Sequence, residues 1–108
     1  MKRIVFSEKC LEYSYFGHIE DADRVGKAYE ILKRRDYEFL GAKHASRDDL
    51  IRVHSSSWVE RVEKGGFFDG DTPGGSNIYE YASLSAGGAI VAARERAFSL
   101  MRPPGHHA

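Results

Sequence analysis

The sequence predicts an α/β fold, a short parallel sheet whose strands are joined by helical crossovers. Short β-prone runs at residues 3–6, 37–40 and 98–101 are separated by helical patterns rather than by hairpin turns. The order is strand, helix, strand, two short helices, long helix, strand, and such alternation implies parallel strands with helical connections. The long helix is apolar nearly all round, so it requires burial on more than one side. Three short strands can hardly provide that. Residues 1–108 therefore read as a single, incomplete domain, the first part of something larger.

Composition narrows the function classes. Lysine plus arginine and aspartate plus glutamate number 16 each, for a formal net charge of zero. No basic patch stands out, which argues against a nucleic-acid partner held through its phosphates. The single cysteine, Cys10, excludes an intrachain disulfide and fits a reducing compartment. Nothing local marks that thiol as activated. The N-terminus starts basic but lacks the apolar core of a signal peptide. The most apolar stretch, residues 81–93, is too short to span a bilayer. The expectation is a soluble, cytoplasmic chain with no membrane partner.

Each element has a local reason. Residues 3–6 form a β-prone start, and residues 7–20, rich in tyrosine and with no clean period, read as a long loop. His18 in that loop reads as a solvated or hydrogen-bonded side chain. Asp21, Ala22 and Asp23 supply a cap and first-turn carboxylates for a helix whose apolar stripe is Val25, Ala28, Tyr29 and Leu32. Lys33, Arg34 and Arg35 fall in its last turn, where cations suit the helix dipole. Arg24 does not fit that logic, because it sits at the positive end, and the residues alone read it as a solvated arginine paired with Asp21 or Asp23.

After the strand at 37–40, Ser46 and Asp49 have capping-box spacing for a helix that buries Leu50, Ile51 and Val53. Ser57 and Glu60 repeat that spacing for the next helix, which ends at Gly65-Gly66, and His54 between the two reads as structural. Residues 67–76 carry four glycines or prolines with two phenylalanines and two aspartates, and read as a loop. Ser76 can cap the long helix, with Glu80 in its first turn. Gly87 and Gly88 inside it each cost about 1 kcal/mol against alanine, so a close backbone approach is the natural reason for them.

The chain finishes Arg102-Pro103-Pro104-Gly105-His106-His107-Ala108. The prolines end the last strand, since they lack a backbone N–H, and Gly105 permits a sharp turn. A strand that ends in a turn bearing titratable side chains is how open α/β sheets place a reaction site. Adjacent residues in an extended segment point to opposite sides, which weakens a reading in which both histidines chelate one metal. Two readings of the pair stand on the residues alone, solvated histidines at a terminus or a general base beside an orienting partner.

Residues 102–108 resemble the Arg-Pro-Pro-Gly-His-His-Ala signature of the histone deacetylase superfamily, in the form of the class II, acetylpolyamine amidohydrolase and acetoin-utilisation branch. Asp23-Arg24-Val25, the block from Ala45 through Leu50 to Val53, His54 and Val59, and Asp71-Thr72-Pro73 with the Ala/Gly-rich helix are similar to the family's earlier blocks, in the same order. The resemblance covers essentially the whole chain. It implies the N-terminal portion of the arginase/deacetylase three-layer αβα fold, in a zinc-dependent deacetylase acting on acetyl-lysine or acetylpolyamine.

By position, His107 resembles the general base that takes a proton from water and passes one to the leaving amine. His106 resembles its electrostatic partner. Asp71 matches the rim aspartate that holds substrate, and Arg24 the arginine of an internal acetate channel. The family's metal ligands, an Asp-x-His pair and a second aspartate, follow the tandem histidines and have no counterpart in residues 1–108. The expectation is that this polypeptide alone holds no catalytic zinc and is inactive. Two settings remain open: an enzyme segment completed by a complementary C-terminal chain, or a non-catalytic module that associates with a second copy or another protein.

Overall fold

The computed structural model describes residues 2–13, 21–65 and 78–104. Three parallel strands, β1 (Lys2–Val5), β2 (Tyr37–Leu40) and β3 (Phe98–Ser99), form one sheet in the order β2-β1-β3. Ile4 pairs with Phe39 on one side and Phe98 on the other, and Val5 with Leu40 and Ser99. The ladder runs one residue further on both sides, through Phe6 N–H to Leu40 O at 2.9 Å and Leu100 N–H to Val5 O at 2.9 Å. Strand β3 is thus shorter than the run of four read from the sequence. Beyond Leu100 the chain leaves the sheet, and the backbone of Arg102 and Pro103 is engaged elsewhere.

Helix α1 (Ala22–Leu32) joins β1 to β2, and its cap is the expected one, with the Asp21 carboxylate accepting from the Asp23 N–H at 2.8 Å. Lys33 is the C-cap rather than a last-turn residue, so the basic run lies at and beyond the helix end. The stripe packs as an aromatic stack. Phe6 and Tyr29 lie 4.0 Å apart centroid to centroid, and Phe39 meets Tyr29 edge-on at 5.2 Å, geometries that suit ring quadrupoles.

Helices α2 (Arg47–Ile51), α3 (Ser56–Glu63) and α4 (Ile78–Glu95) lie between β2 and β3. The Ser46–Asp49 capping box is present in both directions. The second cap is shifted. Ser55, not Ser57, caps α3, its hydroxyl accepting from the Trp58 N–H at 3.2 Å. Three consecutive serines offer three registers, and the turn that ends α2 at His54 selects the earliest. The burial expected of α2 also fails beyond Leu50, since Ile51 is 42 % and Val53 82 % exposed. A helix of five residues turns one narrow face to its neighbours, and Val53 lies past its end.

Gly87 makes room for the backbone approach the sequence predicts, and Gly88 for side chains packed against the helix. A Cβ on Gly87 would stand 1.5 Å from the Lys43 carbonyl oxygen, and one on Gly88 2.9 Å from Met101 Cγ. The chain at 42–45 therefore crosses α4 at backbone distance, fixed by Ala45 N–H to Ser83 O at 2.8 Å. Ser83 and Ala92, on opposite faces of α4, are both buried, so the helix is covered on more than one side, while Ala89 and Ala93 are exposed. The core gathers Phe6, Cys10, Leu84 and Met101.

Residues 8–12 depart from the loop read there. They form a 3-10 helix, Glu8–Glu12, that sets Cys10 fully inside the core. A five-residue helix with three residues per turn leaves no 3.6-residue periodicity to detect.

Candidate functional site

The strand order places the site. The chain passes from central β1 to β2 on one side, then returns to β3 on the other. That reversal is a topological switch point, and open α/β sheets bind ligands outside the carboxyl ends of strands at such a point. The 3-10 helix leaves the carboxyl end of β1, and Arg102 and the prolines leave the carboxyl end of β3. A crossover helix runs back along the sheet, so the N-terminus of α1, with Arg24 in its first turn, belongs to the same edge.

The two departing segments are locked together. Arg102 is buried at 3 % exposure, and its Nη1 donates to the Cys10 carbonyl at 3.1 Å and to the Tyr13 carbonyl. Its guanidinium also lies over the Tyr13 ring, 5.2 Å from the centroid. The last carbonyls of a short helix have no partner within it, and a buried guanidinium needs acceptors, so each group satisfies the other. The Ser85 hydroxyl of α4 donates to the Pro103 carbonyl at 2.7 Å.

The 3-10 helix is itself pinned to α4. The Tyr81 hydroxyl donates to Glu12 Oε1 at 3.1 Å, the Tyr13 and Tyr81 rings lie 5.6 Å apart, and Lys9 pairs with Glu80 at 2.7 Å. Burial pushes the Cys10 thiol and the Tyr13 and Tyr81 phenols above their ordinary values, the Glu12 hydrogen bond adding to the shift at Tyr81. Cys10 is thereby an inert core thiol, as read from the sequence.

Of the four residues singled out in the sequence, Arg24 is described. It is exposed, and its backbone N–H bonds to the Asp21 carbonyl at 3.1 Å. Asp71, His106 and His107 lie outside the described residues, as does the proposed cap Ser76. Sequence reasoning gave no role to Arg102, Tyr13 or Ser85. The only available signal was a charged residue directly after an apolar run, and nothing in that pattern names its acceptors.

Among the described residues no three histidine, cysteine, aspartate or glutamate side chains come together as a metal would require. The zinc implied by the resemblance thus finds no fit in them. No helix among the described residues is long and apolar enough to cross a membrane.

Comparison with known proteins accords with this geometry. The family profile described as histone deacetylase domain matches residues 18–108. A probable deacetylase of Methanothermobacter thermautotrophicus is 37 % identical over 97 % of this chain and 35 % of its own length. A probable deacetylase of Archaeoglobus fulgidus is 43 % identical, again over 97 % of this chain and 34 % of its own length. Among solved structures, the crystal structure of the HDA15 HD domain superposes with a TM-score of 0.79 at 27 % identity, over 99 % of this chain and 36 % of that one. The chain spans about a third of the length of the relatives it matches. The parallel sheet and its helices are a partial arginase/deacetylase αβα fold, and the chain belongs to the histone deacetylase domain family.

Proposed function

We propose that residues 1–108 form the N-terminal part of one deacetylase domain that hydrolyses N-acetyl amides, acetyl-lysine or acetylpolyamine. The observation that carries this reading is the anchoring of residues 102–103 at the sheet's switch point, just before the tandem histidines.

In this reading His107 is the proton-transfer group and His106 its electrostatic partner. His107 takes a proton from the water that attacks the acetyl carbonyl carbon. A proton returned to the amide nitrogen lets the C–N bond break, so water and amide become acetate and amine. Such transfer contributes roughly 10²–10⁴-fold to a rate. Asp71 holds the substrate amine or backbone at the rim. Arg24 faces the departing acetate, which accounts for a cation in the first turn of α1.

No Asp-x-His triplet occurs in the 108 residues, and the described ones offer no metal set. Zinc ligands are accordingly assigned to sequence that follows the tandem histidines in relatives. The 108-residue polypeptide by itself holds no catalytic zinc and hydrolyses nothing. Metal analysis of the purified chain with an acetyl-lysine assay tests this. Metal below stoichiometry and no turnover are expected; stoichiometric metal with turnover would overturn the assignment.

A further inference from the structure

We propose that the amino edge of the sheet binds a compact polyphosphate anion, at a site separate from the candidate site at the carboxyl edge. Lys2, Arg35, Asp36 and Tyr37 line one open cleft of about 530 Å³ where β1 and β2 begin. Arg34 adjoins Arg35 in sequence, and Arg96 precedes Phe98 by two residues as Lys2 precedes Ile4, the register partner of Phe98. Adjacent strands stand about 4.8 Å apart, so cations from three distant segments share an edge about 10 Å wide. Their separation along the chain hides this grouping from the sequence, and the formal net charge of zero hides it too.

The charge on this edge is unbalanced. Glu38 and Glu95 both pair with Arg3, and Glu30 pairs with Lys33. Lys2, Arg34, Arg35 and Arg96 are exposed and have no ion-pair partner among the described residues, and the cleft lining sets only Asp36 against them. Cations at a helix C-terminus complement its dipole, which suits Arg34, Arg35 and Arg96 in sign. The dipole gives no reason for Lys2, which opens a strand, nor for any side chain at position 96. Arg96 has φ 54°, where a side chain is strained and glycine is not. Strain kept on an exposed residue points to a use for its side chain. Three of the four cations are arginine, whose planar fork takes two phosphate oxygens at once, and the Tyr37 hydroxyl adds a donor. An edge this narrow falls short of the roughly six to ten phosphate contacts of a strongly salt-dependent duplex binder. The ligand class is therefore a di- or triphosphate group rather than a nucleic acid.

The test is amide NMR of the 108-residue chain titrated with sodium tripolyphosphate, with orthophosphate, poly-glutamate and a single-stranded oligonucleotide as comparisons at equal ionic strength. Saturable shifts are expected at residues 2–3, 34–37 and 96–98, with tripolyphosphate binding tighter than the other three. Lys2→Gln and Arg35→Gln should each weaken that binding roughly two- to fivefold, the range for exposed charge pairs. Asp36→Asn should tighten it by a similar factor. Arg96→Gly separates charge from fold, since it should raise the thermal midpoint while weakening the anion. Shifts spread evenly over exposed cations, equal affinity for orthophosphate, or tighter binding of poly-glutamate or the oligonucleotide would each overturn the proposal. Unchanged affinity in folded Lys2→Gln and Asp36→Asn would do the same. Should Lys2→Gln fail to fold, Asp36→Asn and Arg96→Gly decide, and unchanged affinity in both overturns it.

Discussion

A methyl group on Gly87 would overlap the Lys43 carbonyl at 1.5 Å, and the obstacle is backbone, which cannot rotate aside. Gly26, in α1, faces only the Leu11 methyls at 3.8 Å, an ordinary contact. The same substitution should therefore have opposite signs at the two sites. Gly87→Ala is expected to destabilise by at least about 1–3 kcal/mol, the range for forced overpacking. Gly26→Ala should stabilise by roughly 0.5–1 kcal/mol, as alanine does in a helix interior. Urea unfolding of both variants checks the pair, and equal shifts would refute the close crossing of α4 by residues 42–45.

Titration belongs to the same scale. Cys10, Tyr13 and Tyr81 are all held protonated by burial. Above about pH 8.5, the ordinary thiol value, the unfolded chain loses protons before the folded one, so stability falls as pH rises. On the acid side, Asp49 is lowered by its hydrogen bonds with Ser46, and Glu80 by Lys9. Their contribution is present at neutral pH and is lost as pH falls through the carboxylate range. Urea midpoints measured from pH 3 to 10.5 should peak near neutrality, and Cys10→Ala should flatten the onset of the alkaline limb.

At the scale of elements, the corrected cap gives a direct contrast. Ser55→Ala removes the acceptor of the Trp58 N–H and should cost about 1 kcal/mol. Ser57→Ala removes only a side-chain contact with Ser55 and should cost under about 0.5 kcal/mol. Thermal unfolding of the two variants distinguishes them; the reverse order would restore the cap read from the sequence. The contrast also marks what was legible. Ser46 stands alone before Asp49, so spacing identified its box, whereas at 55–57 only Ser57 has the box spacing, to Glu60, and the cap used is Ser55, whose third residue on is Trp58. Strand β2 was legible from its β-prone run, bounded by Gly41. The 3-10 helix was hidden because its period is not 3.6, and β3 stopped short because Arg102 and Pro103 are drawn to other elements.

For the whole molecule, local chemistry established the alternation that gives a parallel sheet, and the final heptad gave the family. The site's framework was not legible. That Arg102 meets Cys10 and Tyr13 depends on β1 and β3 being neighbours across 92 and 89 residues of chain, a property of topology rather than spacing. The exposed Ala89 and Ala93 of α4 and Phe98, 65 % exposed on outer strand β3, fit a chain that spans a third of its relatives. We propose that this third supplies the proton-transfer half of a deacetylase site. It is tested most directly by a chimera in which residues 1–108 replace the matching third of the Methanothermobacter relative. The chimera is expected to be a folded, zinc-loaded protein that releases acetate from acetyl-lysine peptide or acetylpolyamine, with a loss of roughly 10²–10⁴-fold on His107→Ala. A folded, zinc-loaded chimera with no activity on either substrate, or full activity in the His107→Ala variant, would contradict it.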